Sequence, residues 1–462
     1  MNRFILLLML PFVSGAVAQA GESLSALTAP ALREFKKLDA KDQAYTRYLV
    51  LKASKPVQDE AGEFAGFDVN WEAATNLAVA STSREPNLNR QLPAMVSDRV
   101  YRIDLRSLGW DYYDWLKVVE KYPYSEQKNP LFIRSDWLVK QLSDQSENDS
   151  YLRLLVGGKN LPKTRDQALK LFDVDVAKVR RLKLDFGVIE TDSQVAVQKG
   201  ATEKTRVLEF FEHFGGYASG TKDYFDILPD NSPLDKVDPS KTKHDGEEWI
   251  IGIAKVWTSE RGRMKEGGRG ALQAYFLSDG NGNIVNEAPA KLVEDHTKFA
   301  GISSIRFPGS CVACHPTGLN PPNRNGLKSY LEGGARIAAK DYDKQEFAER
   351  WHLTDSAKFI RRANEDFGGA VKFATGLEPE EAVRQYVAAI DHYRADVSLD
   401  RAAEELYTTP AELSAALAYA SESIDIGAEA TKLAHGKAVS RASFEVLYLR
   451  LEHYLQVWRD SE

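Results

Sequence analysis

The only two cysteines of the 462-residue chain lie in one short segment, Cys311-Val312-Ala313-Cys314-His315. This C-x-x-C-H spacing is the attachment signature of c-type haem. The two thiols form thioethers with the vinyl groups of the porphyrin, and the adjacent imidazole of His315 can bind the iron as proximal ligand. Because the chain has no second cysteine pair, it cannot build a four-cysteine zinc site.

Two other chemistries remain open for the same cysteines. A thioredoxin-like redox pair would lie at a strand-to-helix turn of a βαβ unit, whereas the residues around Cys311 are rich in Pro and Gly and predict a loop. A redox dithiol and a structural disulfide are the alternatives. We expect one covalent haem c, bound by Cys311 and Cys314, with His315 as iron ligand.

The first twenty residues have the pattern of a secretory signal peptide. Asn2-Arg3 supplies a short positive start, an apolar run follows from Phe4 to Val13, and Ala18-Gln19-Ala20 fits a cleavage site. Haem c is assembled on exported chains, so the leader and the C-x-x-C-H segment support each other. They predict a periplasmic protein. No later apolar stretch is long enough for a bilayer, so we expect no membrane span in the mature chain.

Composition and charge limit the class of partner. Hydrophobic residues make up 43% and charged residues 27% of the chain, which is ordinary for a globular protein. The formal net charge of -7 argues against nucleic acid, whose phosphates would be repelled. A mature chain of roughly 440 residues is long enough for two or three domains. The expected haem, rather than the composition, predicts a redox partner protein.

Hydrophobic periodicity predicts an α+β protein in which the expected secondary structure changes twice along the chain. After the signal peptide at 1–20, residues 21–175 are predicted to be mainly helical, 176–300 to be β-rich, and 301–462 to form a helical, cytochrome c-like haem-binding domain. The change near 300 is the clearest, because composition, period and the C-x-x-C-H segment all change there.

In the N-terminal region, helical spacing covers Leu27 to Leu38, Tyr45 to Leu51, and Asn70 to Thr82. Val100 to Leu105 alternates and predicts a strand. Asp111 is positioned to cap a helix that ends near Tyr122. The aromatic residues from Trp110 to Trp115 are typical of a core, with a cofactor pocket as the alternative.

The middle region shows short β-rich runs. They are Leu182–Ile189, Arg206–Phe211, Trp249–Val256, Ala271–Leu277 and Lys291–Glu294. Asp279-Gly280-Asn281-Gly282-Asn283 predicts a hairpin turn rather than a calcium loop, since the downstream glutamate of an EF-hand is missing. Glu260 to Gly270 is a basic, glycine-rich loop whose arginines either pair with haem propionates or are solvated.

After the C-x-x-C-H segment the pattern is helical. The predicted helices are Leu327–Leu331, Asp343–Trp351, Asp355–Thr375, Pro379–Asp396, Pro410–Ala420 and Arg441–Trp458. Proline follows Glu378 and Thr409, which is typical of the first turn of a helix.

Several stretches, taken in order, resemble the large single-haem c-type cytochrome-domain proteins of planctomycetes and some proteobacteria. The residues that carry the likeness are Tyr101-Arg102-Ile103-Asp104-Leu105, Gly109-Trp110-Asp111, Gly216-Tyr217, Asp223-Tyr224-Phe225, Ala271 to Leu277, Ser310 to His315 and Gly318. The likeness extends from about residue 40 to 420, and residues 252–270 depart from it as an insertion. The resemblance implies haem c and a similar architecture, and it implies no substrate.

The sixth iron ligand decides the chemistry. A methionine or a second histidine gives a low-spin electron carrier, whereas an open face permits peroxide or gas chemistry. After the signal peptide only Met95 and Met264 remain, and neither follows the haem segment. Met264 and His352 are the candidate sixth ligands, and an open face or a lysine or tyrosine ligand are the alternatives. The favoured function is one-electron transfer, and the alternative is a five-coordinate haem enzyme or sensor acting on peroxide or a diatomic gas.

Overall fold

The computed structural model describes residues 24–52, 56–58, 64–88, 94–97, 99–175, 178, 186–192, 196–197, 205–213, 216–223, 244–257, 269–288, 293–294, 299, 304–321 and 356–462. The predicted signal peptide, residues 260–268 of the predicted basic loop, both candidate sixth ligands (Met264 and His352) and the two helices predicted within 327–351 lie outside these residues. The last two residues of that loop, Arg269 and Gly270, begin a strand. The described chain is α+β, as predicted.

Helices predominate in the N-terminal region, with a small sheet between them. The helices are α1 (Leu24–Phe35), α2 (Ala40–Tyr45), α3 (Trp71–Thr82), α4 (Tyr112–Val119), α5 (Ser135–Gln141), α6 (Ser150–Val156) and α7 (Arg165–Leu171). The strands are β1 (Thr46–Val50), β2 (Pro56–Gln58), β3 (Phe64–Asp68), β4 (Asn87–Leu88), β5 (Ala94–Ser97), β6 (Val100–Asp104) and β7 (Phe132–Arg134). Four of them form a sheet in the order β5-β6-β1-β7.

The helix predicted over Tyr45 to Leu51 is wrong. Thr46–Val50 is the strand β1, paired antiparallel to β6 and parallel to β7. All five residues of β1 are buried, so the strand shows no alternation of polar and apolar residues that could have identified it. The strand predicted from Val100 and the helices after Asn70 and Asp111 are confirmed, with both capping side chains accepting backbone N–H groups.

A larger antiparallel sheet occupies the middle of the chain. Its strands are β8 (Phe186–Asp192), β10 (Thr205–His213), β11 (Gly216–Asp223), β12 (Gly246–Trp257), β13 (Arg269–Asp279) and β14 (Ile284–Val285), in the order β14-β13-β12-β11-β10-β8, with β4 parallel to β12. Two short strands, β9 (Ala196–Val197) and β15 (Val293–Glu294), pair separately.

The turn predicted at 279–283 is confirmed. The Asp279 carboxylate accepts the backbone N–H groups of Asn281 and Asn283, both at 2.8 Å, and Gly282 has φ +79°. Of the aromatic residues from Trp110 to Trp115, the two tryptophans belong to the core as expected, because they are buried and stack at 5.8 Å, whereas Tyr113 is exposed.

From Gly309 onward the described elements are helices. They are α8 (Gly309–Cys314), α9 (Ser356–Thr375), α10 (Pro379–Arg394), α11 (Leu399–Glu405), α12 (Pro410–Ser423), α13 (Ala428–Ala434) and α14 (Arg441–Ser461). Proline occupies the first turn of α10 and α12, as predicted, and Thr409 and Glu412 form a capping box at the start of α12.

The chain divides into two compact units, Thr28–Ala395 and a second made of Met1–Leu27 with Asp396–Glu462. Position 300, where the sequence changes character, lies inside the first unit. Within that unit α9 packs on β13, and Phe359 of α9 contacts Phe210 and Tyr217 of the sheet at ring distances of 4.7 and 6.2 Å. The C-x-x-C-H segment therefore shares a core with the large sheet.

In the second unit, a buried ion pair joins two helices. Arg441 of α14 donates to both carboxylate oxygens of Glu405 at 2.7 and 2.8 Å, and Tyr448 donates to the Glu405 carbonyl at 3.2 Å. The Glu405 side chain is fully buried. Buried carboxylates of this kind require a charged partner.

Candidate haem-attachment site

The two cysteines lie on one turn of the short helix α8. The loop expected from the flanking Pro and Gly residues is wrong, since Gly309–Cys314 is helical and His315 follows as its C-cap residue. A backbone hydrogen bond joins the start of this helix to the segment after α5, since the Gly309 N–H donates to the Ser143 carbonyl at 2.9 Å. Long-range backbone hydrogen bonds of this kind are invisible to local sequence patterns.

Residues three apart on a helix are surface neighbours, so Cys311 and Cys314 point to adjacent positions on α8. Neither cysteine forms a disulfide, and Cys311 is buried while Cys314 is partly exposed. The disulfide alternative is therefore not the state of this structure. Two thiols on one helical turn form the donor pair that covalent haem attachment requires.

The imidazole of His315 is oriented by the turn that follows it. Its Nδ1 lies 3.1 Å from the carbonyl oxygen of Gly318. A carbonyl can only accept, so this bond places the proton on Nδ1 and leaves the lone pair on Nε2, the arrangement found in metal-binding histidines. The Nε2 atom lies 4.0 Å from a carboxylate oxygen of Glu248 on β12, and both side chains are about 15% exposed.

Asn364 of α9 holds the turn in place. Its Oδ1 accepts the Leu319 N–H at 2.7 Å, and its Nδ2 donates to the Leu319 carbonyl at 2.9 Å. Gly318 has φ +108°, and a Cβ there would lie 2.4 Å from Asn364 Oδ1. Only glycine satisfies both the backbone conformation and the close approach. Asn364 was not identified from the sequence, since a lone Asn in a helical stretch carries no distinguishing signal.

A chain of buried hydrogen bonds lies in the core that contains Cys311. The backbone N–H of Tyr275 donates to the Tyr151 hydroxyl at 3.0 Å, the Tyr275 hydroxyl donates to Gln273 at 2.6 Å, and Gln273 donates to Tyr217 at 2.8 Å. Burial raises the pKa of all three tyrosines well above the usual value. They therefore stay neutral phenols. The sequence analysis missed this network, although Gln273, a polar residue in an otherwise apolar strand, could have indicated it.

The donor set at this site fits haem c. It provides two thiols outside any disulfide and one imidazole whose Nδ1 is bonded to the Gly318 carbonyl. Across the described ranges no group of three or more His, Cys, Asp or Glu could hold a metal ion by itself. Met95, one of the two methionines after residue 20, has 63% of its surface exposed. Met264 and His352 stay predictions.

Comparison of the chain with protein-family models, curated proteins and solved structures finds no match. Within the described residues, none of the helices combines the length and the apolar character needed to cross a bilayer.

Proposed function

We propose that this protein is a periplasmic, mono-haem c-type cytochrome that passes one electron to or from a redox partner protein. The observation that carries the proposal is the bond from His315 Nδ1 to the Gly318 carbonyl, directly after two thiols on one helical turn. Bound haem would supply the one-electron Fe(III)/Fe(II) couple. The resemblance to the large single-haem cytochrome-domain proteins, the exported location and the four-part domain division belong to the same proposal.

Each protein group would have a separate task. Cys311 and Cys314 would hold the porphyrin edge, and His315 would bind the iron in the tautomer that the Gly318 carbonyl selects. The apolar core around Cys311 would keep water away from the porphyrin edge that is attached to this cysteine. The negative charge of Glu248 on the Nε2 side would favour the ferric state and lower the reduction potential.

A second candidate is a five-coordinate haem enzyme or sensor acting on peroxide or a diatomic gas. The observation that favours it is Glu248, a carboxylate 4.0 Å from His315 Nε2. A negative charge near the iron would stabilise the higher oxidation states that peroxide chemistry uses. In this case neither Met264 nor His352 would bind the iron.

Covalent attachment is tested by a haem stain on a denaturing gel. The wild-type protein should stain, and the double variant Cys311→Ala/Cys314→Ala should not. Val312→Ala is the matched control, since it changes the spacer between the thiols and keeps both of them, and it should stain like the wild type. Stain that persists in the double variant would contradict the proposal.

Optical spectra separate the two candidates. Sharp low-spin bands without a response to carbon monoxide in the reduced protein would support the carrier. Prompt carbon monoxide binding would contradict it and support the open-face alternative. In the carrier, one of the variants Met264→Ala and His352→Ala should gain carbon monoxide binding, and that variant identifies the sixth ligand.

A further inference from the structure

A cavity of about 730 Å³ opens beside α4, and none of its lining residues belongs to the C-x-x-C-H segment. Its walls come from α4, from the end of α6 and the turn after it, and from Arg84. The volume lies within the range of sites for small organic ligands, about 300 to 1,000 Å³. It is far larger than an inorganic ion needs.

Positive charge exceeds negative charge around the cavity, although the whole chain carries -7. The lining cations are Arg84, Lys117, Lys128, Arg153 and Lys159, and the lining anions are Asp111, Asp114 and Glu120. The anions are already engaged: Asp111 caps α4, Glu120 pairs with Lys117, and Asp114 contacts both arginines. Clefts lined by one sign of charge attract ligands of the opposite sign.

The two arginines are packed tightly around Asp114. Arg153 and Arg84 approach the Asp114 carboxylate at 3.5 and 3.9 Å, and the Gly158 N–H donates to it at 2.8 Å. A Cβ at Gly157 would lie 2.8 Å from the Arg84 guanidinium, and one at Gly158 only 2.1 Å from that of Arg153. The two glycines therefore make room for both guanidinium groups.

Each guanidinium group has one unused donor, although Arg153 also pairs with Asp149. The Nε atoms of Arg84 and Arg153 are buried and have no hydrogen-bond partner among the described residues. Buried donors are nearly always paired in folded proteins, so two unpaired ones beside one cavity leave both arginines with unused hydrogen-bonding capacity. Guanidinium groups suit carboxylate and phosphate oxygens in particular.

We propose that this cavity binds a small organic anion, a carboxylate or a phosphate monoester on an apolar body. Arg84 and Arg153 hold the anionic group. Tyr113, which is 74% exposed, and Leu116 offer apolar surface to the rest of the ligand. Lys128 and Lys159 are exposed at the cavity and attract the anion before it binds.

The test is a calorimetric titration of the full-length protein, haem included, with benzoate and with phenyl phosphate at low ionic strength. Benzyl alcohol is the neutral probe. The variant Lys128→Glu/Lys159→Glu reverses two exposed charges at the cavity. Lys121→Glu/Lys170→Glu is the matched control, because both of its lysines are exposed and neither lines the cavity.

We expect saturable binding of at least one of the two anions. Binding should weaken by about tenfold or more in the cavity variant at low ionic strength, since two lining cations become anions that repel the ligand. It should be unchanged in the control. Preference for benzoate or for phenyl phosphate assigns the anionic group. The proposal is overturned if neither anion binds the wild type, if benzyl alcohol binds as tightly, or if both variants respond alike. Unchanged far-ultraviolet circular dichroism in both variants confirms that they fold.

Discussion

Replacing Asn364 by Ala should loosen the turn after the haem segment. Asn364 bonds both the N–H and the carbonyl of Leu319, at 2.7 and 2.9 Å, and this turn also carries the Gly318 carbonyl that orients His315. The variant removes both side-chain bonds and inserts no larger group. The effects of the variant should therefore report the loss of these two bonds alone.

The magnitude follows from the two bonds. A typical hydrogen bond contributes about 0.5 to 1.5 kcal/mol net, so the loss of two should lower the free energy of unfolding by about 1 to 3 kcal/mol. Leu319 is buried, which leaves its backbone groups poorly placed to find water and favours the upper half of that range. A loosened Gly318 carbonyl would also make His315 a less basic ligand, so the reduction potential of the proposed haem should rise.

The assay is urea unfolding of the full-length protein, followed by tryptophan fluorescence, together with a redox titration. Glu365→Ala is the matched control, because Glu365 is the exposed neighbour of Asn364 on α9. The control should lie within about 0.5 kcal/mol of the wild type. If the two variants unfold alike and have the same reduction potential, the bonds between Asn364 and Leu319 have no role in orienting His315.

Three further predictions concern stability. Burial alone would raise the pKa of Glu247, but contacts including that with His244 lower it to about 2. Stability from its ionised form is therefore present above about pH 4.5 and lost as the pH falls toward 2, so Glu247→Gln should flatten acid unfolding over that window, and an unchanged profile would contradict this. Arg441→Met leaves Glu405 with only the contact from Arg401 at 3.2 Å and should cost about 2 kcal/mol in thermal unfolding, whereas a neutral result would mean that the Arg441 pair contributes little. Thr409→Ala should cost about 1 kcal/mol and speed amide exchange in the first turn of α12, while Thr409→Ser should not.

Local signals in the sequence identified much of the secondary structure. Asp111 was recognisable as a helix cap because a short polar side chain before an apolar run satisfies the first backbone donors. The turn at Asp279 was recognisable for a similar reason, since Asn and Gly tolerate its backbone conformation. Each of these interactions spans only a few residues, so a short stretch of sequence is enough to predict it.

Two strands show where such signals fail. β1 was predicted to be helical because its apolar residues fit helical spacing as well as they fit a fully buried strand. β11 was not predicted at all, because Gly216–Asp223 contains few strong strand-forming residues. It becomes a strand through pairing along both edges, with β10 and with β12.

The sequence by itself supplied the C-x-x-C-H pattern on which the haem proposal rests, because two thiols and an imidazole at that spacing are a property of five consecutive residues. Only the tertiary structure placed Asn364 on the turn beyond it, Glu248 beside Nε2 of His315, and the buried tyrosines in the core around Cys311. It also brought Arg84 and Arg153 to one cavity. These contacts join segments tens of residues apart. They depend on how helices and strands pack, and spacing along the chain carries no record of that packing.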